Sequence, residues 1–168
     1  LLEHQNIPRS EYEVIVVDSN SPDETSTVVK KLQSKFSNII YIEDAANILA
    51  TKRNVGVAAA NSEIIVFMDD DVYPTKTFVE AHLKANEQPT NSFYCGQIRF
   101  ERDLVKTSNY YYFRDQQHLK RKDIGADLPF NNIVVMNLSF RKEYYATTGG
   151  VCEEYIGYGC EDIDFGWR

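Results

Sequence analysis

Glu63-Ile64-Ile65-Val66-Phe67-Met68-Asp69-Asp70-Asp71 is an apolar run that ends in three carboxylates. It is short and rich in apolar, β-branched side chains, the pattern of a buried strand. A strand ending this way puts its carboxylates at the C-terminal edge of a sheet, where open α/β folds bind ligands. Like charges so close repel one another, and a cation relieves that repulsion. The plainer alternative is solvated loop charge, which gives no reason for a fully apolar strand to end in mutual repulsion. Hard oxygen donors of this kind favour Mg2+ or Mn2+ over softer metals.

Upstream, Glu13-Val14-Ile15-Val16-Val17 predicts another buried strand, stopping at Asp18-Ser19-Asn20. Ser21-Pro22-Asp23-Glu24 then predicts a helix start: Ser21 as cap, Pro22 at the first helical position, Glu24 completing a capping box. Val28, Val29, Leu32 and Phe36 supply the apolar stripe of that helix. Residues 38–42 read as a strand and 46–60 as a helix with Leu49, Arg53, Gly56, Val57 and Ala60 on one face. Strands alternating with helices through residue 71 imply right-handed crossovers, a parallel sheet and an α/β fold. Downstream, Pro74 marks a turn, and Thr75 or Thr77 opens a helix running to Asn86. A strand over 92–100, a helix over 107–122, a strand over 132–140, a short helix over 141–147 before Gly149-Gly150, and a helix from Glu161 complete the reading.

The 168 residues suit one domain with a substantial core. A net charge of −7 disfavours broad binding to nucleic-acid backbones. No apolar run is long enough to span a bilayer. Cys95, Cys152 and Cys160 form an odd set without metal-ligand spacing and suit a reducing compartment, so the expected location is cytoplasmic or peripheral to a membrane. His4, His82 and His118 are too dispersed for ligands and read as surface or core histidines. Asn137-Leu138-Ser139 has the spacing of a glycosylation sequon but sits in a strand-like segment, which argues for chance.

Four further features bear on chemistry. Asp18 ends a parallel strand, so it either caps a turn or accepts hydrogen bonds from a nucleobase N–H or a ribose hydroxyl. Lys52-Arg53-Asn54 lies in a helix of small residues, where Arg53 is either a solvent-facing charge or a fork for a diphosphate. Glu161-Asp162 follows Gly157-Tyr158-Gly159-Cys160. Either it is the acidic first turn of a helix, or it supplies the base that deprotonates a hydroxyl nucleophile. Tyr110-Tyr111-Tyr112-Phe113, followed by His118-Leu119-Lys120-Arg121-Lys122, has the composition of a stacking platform for single-stranded nucleic acid. The acidic total charge favours a packed aromatic face with a solvated basic end.

Together these motifs resemble the inverting GT-A glycosyltransferases of the large group called family 2. Val16-Val17-Asp18-Ser19-Asn20-Ser21 is similar to their strand-end motif, with Ser19 where a second aspartate is usual. Lys52-Arg53-Asn54-Val55-Gly56 resembles their Ala-Arg-Asn-x-Gly helix, and Phe67-Met68-Asp69-Asp70-Asp71 their DxD-type motif. Gly149-Gly150-Val151-Cys152-Glu153-Glu154 and Gly159-Cys160-Glu161-Asp162-Ile163-Asp164 resemble the acceptor-side segment that ends in Glu-Asp. The order and spacing hold from residue 11 to residue 168.

The resemblance implies a GT-A, Rossmann-like fold with a mainly parallel central sheet, divided into a nucleotide-binding part over 11–73 and an acceptor-side part over 74–168. It implies that Asp18 contacts the base, that Asp69 and Asp70 hold the ribose side, and that Asp71, with Asp69, binds a metal on the diphosphate. Asp162 would be the catalytic base, with Glu161 its close competitor. The donor would be a nucleotide-diphospho-sugar carrying a hexose or N-acetylhexosamine, and the acceptor a saccharide, a lipid-linked group or a protein, as in polysaccharide biosynthesis. The family's first strand, which lies mid-sheet beside the strand ending at Asp18, has no counterpart before Leu1, and the C-terminal region that completes the acceptor site is also missing. The chain therefore reads as a fragment of a longer enzyme. The rivals are a metal-dependent nucleotidyltransferase, which has no need of Glu161-Asp162, and a non-catalytic nucleotide- or sugar-binding module.

Overall fold

The computed structural model describes residues 2–88, 90–119, 127–157 and 159–168. Strand β1 (Val14–Asp18) leads through helix α1 (Thr25–Gln33) to β2 (Ile39–Glu43). Helix α2 (Leu49–Ala59) and β3 (Ile64–Met68) follow, then α3 (Phe78–Ala85) and the short β4 (Tyr94–Cys95). Helices α4 (Arg102–Thr107) and α5 (Asn109–Leu119), strand β5 (Asn137–Arg141), and helices α6 (Lys142–Thr148) and α7 (Glu161–Trp167) complete the order. The α/β class read from the sequence holds.

The sheet is divided. β1 and β2 pair in parallel, with Asp18 opposite Glu43 at the end of the ladder. β3 pairs antiparallel with β5, and β5 with β4, in the order β3-β5-β4. Parallel pairing is thus confined to the first βαβ unit; among the described residues β3 has no ladder with β1. A strand paired along one edge is less enclosed, and Val14 to Val17 are only half-buried, against the sequence expectation of full burial.

Several local expectations change; the helix expected over 46–60 begins at Leu49, and the strand expected over 132–140 forms only over Asn137–Arg141. Helix α1 begins at Thr25 rather than at Pro22, because Ser21 gives both its N–H (3.2 Å) and its hydroxyl (2.5 Å) to the Asp18 carboxylate. That bonding closes a turn instead of capping a helix. The strand expected over 92–100 shrinks to Tyr94–Cys95. One reason is Gly96: a Cβ there would stand 2.4 Å from the Asn137 amide, so the chain passes too close for a regular ladder residue.

The main core lies between the β3-β5-β4 sheet and helices α2, α6 and α7. Phe140 and Phe165 are fully enclosed, with Leu138, Ala50, Val57, Ile65, Tyr145 and Val151 around them. Tyr145 stacks on Phe140 at 5.2 Å, while Phe67 and Phe93 meet Phe140 edge-on at 5.1 and 5.5 Å. A smaller cluster of Val29, Phe36 and Ile39 sits under α1 and β2. His82 is a core histidine, as the sequence reading held. It is buried between α3 and β5, with Nδ1 2.8 Å from Ser139 Oγ and Nε2 2.9 Å from Asn137 Oδ1. The sequon residues Asn137, Leu138 and Ser139 are buried in the same strand, which rules out glycosylation of the folded chain there.

The expected packed aromatic face on α5 is not found. Tyr111 packs on Phe100 at 5.4 Å, and the buried Asp115 ties the helix to Arg99 at 3.0 Å. Those contacts use one side of the helix, and Tyr110, Tyr112 and Phe113 remain more than half exposed. The basic end expected at Lys120-Arg121-Lys122 lies outside the described residues.

Candidate active site

Helix α2 joins the features that the sequence keeps apart. It runs against β1, with Gly56 facing Val17: a Cβ there would make an ordinary contact with Val17 Cγ2 at 3.5 Å. At its first turns, Lys52 lies in the field of Asp18, and Arg53 in the field of Asp69. The two acidic clusters meet through Arg53. Its guanidinium donates to Glu161 Oε1 at 2.9 Å, in a pair whose side chains are only 14% and 7% exposed. Arg53 is therefore not the solvent-facing charge considered from sequence. It bridges 108 positions of chain between the nucleotide half and α7.

The Glu161 carboxylate is half used. Oε1 accepts from Arg53, while Oε2 is buried without a hydrogen-bond partner among the described residues. Its neighbour Asp162 is only partly buried and accepts from the Ile163 backbone N–H at 2.9 Å. Of the two carboxylates, Asp162 is the accessible one. Asp164 turns back to Arg168 at 2.7 Å and takes no part.

The acidic turn after β3 is graded in exposure. Asp69 is partly buried, and Asp70 and Asp71 are exposed. Burial pushes the Asp69 carboxyl up from its ordinary value; Arg53 acts against this, and Asp71, Asp70 and Glu161 add to it. Asp18 is the opposite case. The Ser21 hydroxyl, then the Tyr41 hydroxyl at 2.8 Å, hold it below its ordinary value. Burial and this same bond push the Tyr41 phenol up to about 12. No ion pair or hydrogen bond joins Asp18 to Asp69 among the described residues.

Among the described residues no group of three His, Cys, Asp or Glu side chains closes around a metal position. The donors nevertheless fit a hard divalent cation, because Mg2+ is commonly held by one or two carboxylates, with substrate phosphates and waters filling the rest. A cation beside Asp69 and Asp71 would favour the charged carboxylate against burial, the main cause of the rise at Asp69, and against the repulsion that adds to it.

Sequence reasoning missed Asn54, Tyr145 and Gly150. Asn54 Nδ2 donates to the Val151 carbonyl at 2.9 Å and to Glu153 Oε1 at 2.7 Å. Its Oδ1 accepts from the Val151 N–H at 3.0 Å and from the Tyr145 hydroxyl. The sequence signal is the Asn that follows Arg53 in the Lys52-Arg53-Asn54 motif. Tyr158, in the glycine stretch before Glu161, lies outside the described residues.

A family model described as "Glycosyl transferase family 2" matches residues 1–145. Over 205 aligned residues the chain is 25% identical to an uncharacterized glycosyltransferase, YfnE, of Bacillus subtilis, covering 94% of this chain and 52% of that protein. It is 23% identical to validoxylamine A glucosyltransferase of Streptomyces hygroscopicus, covering 99% of this chain and 46% of that protein. The chain thus spans about half the length of these curated relatives. Among solved structures, S. aureus TarS 1-349 in complex with UDP superposes with a TM-score of 0.68 at 20% identity, over 97% of this chain and 47% of that one. The mannosyltransferase PcManGT from Pyrobaculum calidifontis, in complex with GDP-Man and Mn2+, superposes with a TM-score of 0.66 at 20% identity, over 95% and 43%. These likenesses fix the GT-A fold.

Proposed function

We propose, from the premise that this chain belongs to glycosyl transferase family 2, that it moves a sugar from a nucleotide-diphospho-sugar to an acceptor hydroxyl with inversion. The observation that carries the reading is the Arg53–Glu161 pair beside Asp69, which joins an acidic strand end to the acidic start of α7. Residues 11–73 form the nucleotide part in this reading and residues 74–168 the acceptor part. Asp18, Arg53, Asp69 and Asp70 contact the donor. Asp69 and Asp71 would hold Mg2+ or Mn2+, which when bound neutralises charge developing on the diphosphate.

The chain's own residues perform the remaining work. The Asp162 carboxylate takes the acceptor's proton as its oxygen attacks the anomeric carbon. The bond from that carbon to the diphosphate oxygen breaks, and the diphosphate departs with the electron pair. Attack from the face opposite the leaving group inverts the centre. Asp162 is preferred to Glu161 as base because it is accessible, whereas Glu161 is enclosed and paired with Arg53. Family membership favours transfer over nucleotidyl chemistry. A hexose or N-acetylhexosamine donor is consistent with relatives named glucosyltransferase and N-acetylglucosaminyltransferase. The acceptor is a saccharide, a lipid-linked group or a protein, and the place of action is cytoplasmic or peripheral to a membrane. Among the described residues no helix is long and apolar enough to cross a membrane.

The test is a panel of UDP- and GDP-sugars, offered with and without Mn2+ to the full chain and read by thermal shift and by donor turnover. A metal-dependent shift with one donor class, and a product of inverted anomeric configuration by NMR, is the expected result. Binding without turnover for every acceptor tried would instead identify a non-catalytic module.

A further inference from the structure

We infer that Asn54 is the positioning residue that registers the acceptor-side segment, and with it Asp162, against the nucleotide half; the inference rests on the transferase reading above. The Asn54 carboxamide can accept two hydrogen bonds and donate two, and all four are made. Three go to the loop at residues 151–153 and the fourth comes from Tyr145 on α6. An aspartate of the same shape would keep the acceptors and lose both donors, placing a carboxylate against the Val151 carbonyl and Glu153.

The loop is built to be held closely. Gly150 has φ +72°, and a Cβ there would stand 2.8 Å from Asn54 Oδ1 and 3.1 Å from the Tyr145 ring. Tyr145 is itself locked by stacking on Phe140 and gives a second contact to the loop, accepting from the Val151 N–H at 3.2 Å. The loop is therefore tied both to α2 and to the main core, and Val151 is only 2% exposed.

The next residue back completes the arrangement. Arg53 binds Glu161, the first residue of α7, at 2.9 Å. Adjacent positions on one helix move as a body, so loop 151–153 and the start of α7 share one frame. That frame is α2, which rests on β1 through Gly56 and Val17. Asp162 follows Glu161 directly. A displacement of roughly 1 Å at a reacting group costs on the order of 10²-fold in rate. A residue that merely supports the fold would lower stability without separating turnover from donor affinity.

The experiment uses the full chain and the best donor of the UDP- and GDP-sugar panel. Asn54→Asp should lower kcat by about 10- to 100-fold. Donor KM, and affinity for UDP or GDP with Mn2+, should stay within about twofold. Adding Glu153→Gln to Asn54→Asp returns a donor facing the new carboxylate and should recover part of the lost kcat. Tyr145→Phe, which removes one hydroxyl and leaves the ring in the core, should lower kcat in the same direction by less, and it serves if Asn54→Asp does not fold. Unchanged kcat in folded Asn54→Asp, donor affinity falling in step with kcat, or no recovery with Glu153→Gln would overturn the inference. Should the parent turn over no donor of the panel, the transferase reading fails. Amide exchange at Val151 and across 161–165 then decides the clamp alone: faster exchange in Asn54→Asp supports it, and unchanged exchange overturns it.

Discussion

The turns after β1 and β3 both carry aspartates, yet they are built in opposite ways. Asp18 is satisfied by its own chain: Ser21 and Tyr41 supply three hydrogen bonds, and the carboxyl is held low. Asp69 is held high by burial and by three other carboxylates, with Arg53 alone among its named neighbours acting against them. The first turn is electrostatically complete. The second lacks that balance, and Arg53, which opposes the rise at Asp69, is shared with Glu161. A strand-end aspartate is therefore not one kind of feature, and the field around it separates a carboxylate braced by its own chain from one that is not.

The largest effect expected follows from the accessible carboxylate on the incomplete side. Asp162→Asn should reduce transfer by ~10²–10⁴-fold while donor affinity holds. Steady-state kinetics with Glu161→Gln as the matched control checks this; near-parental turnover in Asp162→Asn would move the base elsewhere.

Arg53→Met comes next. It leaves the Glu161 carboxylate enclosed without a counter-charge, and breaking a buried pair this way costs about 3–5 kcal/mol. Urea unfolding should register it, and combining it with Glu161→Met should recover much of the loss.

The comparison itself is tested by matched substitutions in metal-free buffer at neutral pH. Asp18→Asn loses charge-assisted bonds and should destabilise by about 1–3 kcal/mol. Asp69→Asn removes a repelled carboxylate and should leave stability equal or higher. Equal losses at both positions would break the contrast. The exposed Asp71 sharpens it further: Asp71→Asn should leave the melting temperature unchanged and weaken Mn2+-dependent nucleotide binding, measurable by calorimetry.

The smallest effect lies in the antiparallel half. Burial pulls the His82 pKa below 6.5, against the raising effect of the Asn137 bond. The neutral ring donates from Nε2 to Asn137 and accepts at Nδ1 from the Ser139 hydroxyl, whose oxygen also takes the Asn86 amide at 2.8 Å. Because the folded value lies below the unfolded one, stability is full above about pH 6.5 and falls as pH drops toward the folded value. Melting temperatures taken across that window should fall in the parent and flatten in His82→Gln.

Much of the fold was legible because local patterns agreed with it. The apolar runs at residues 14–17, 39–42 and 64–68 are strands because β-branched residues bounded by polar ones have few alternatives. The start of α1 was misread because Ser21 had two uses for its hydroxyl, and a cap within one helix lost to a carboxylate at the end of β1. The strand over 92–100 was overextended because the closeness of Asn137 to Gly96 depends on a segment some 40 positions away.

Residue types and their order along the chain determined the α/β class, the acidic strand ends and the family resemblance, since those rest on short-range pattern. Tertiary structure alone decided that Arg53 faces Glu161, that Asn54 holds Val151, and that Asp18 is braced while Asp69 is not. The physical reason is that burial and electrostatic field are sums over neighbours in space. Positions 53 and 161 become neighbours only when α2 and α7 pack on the same core.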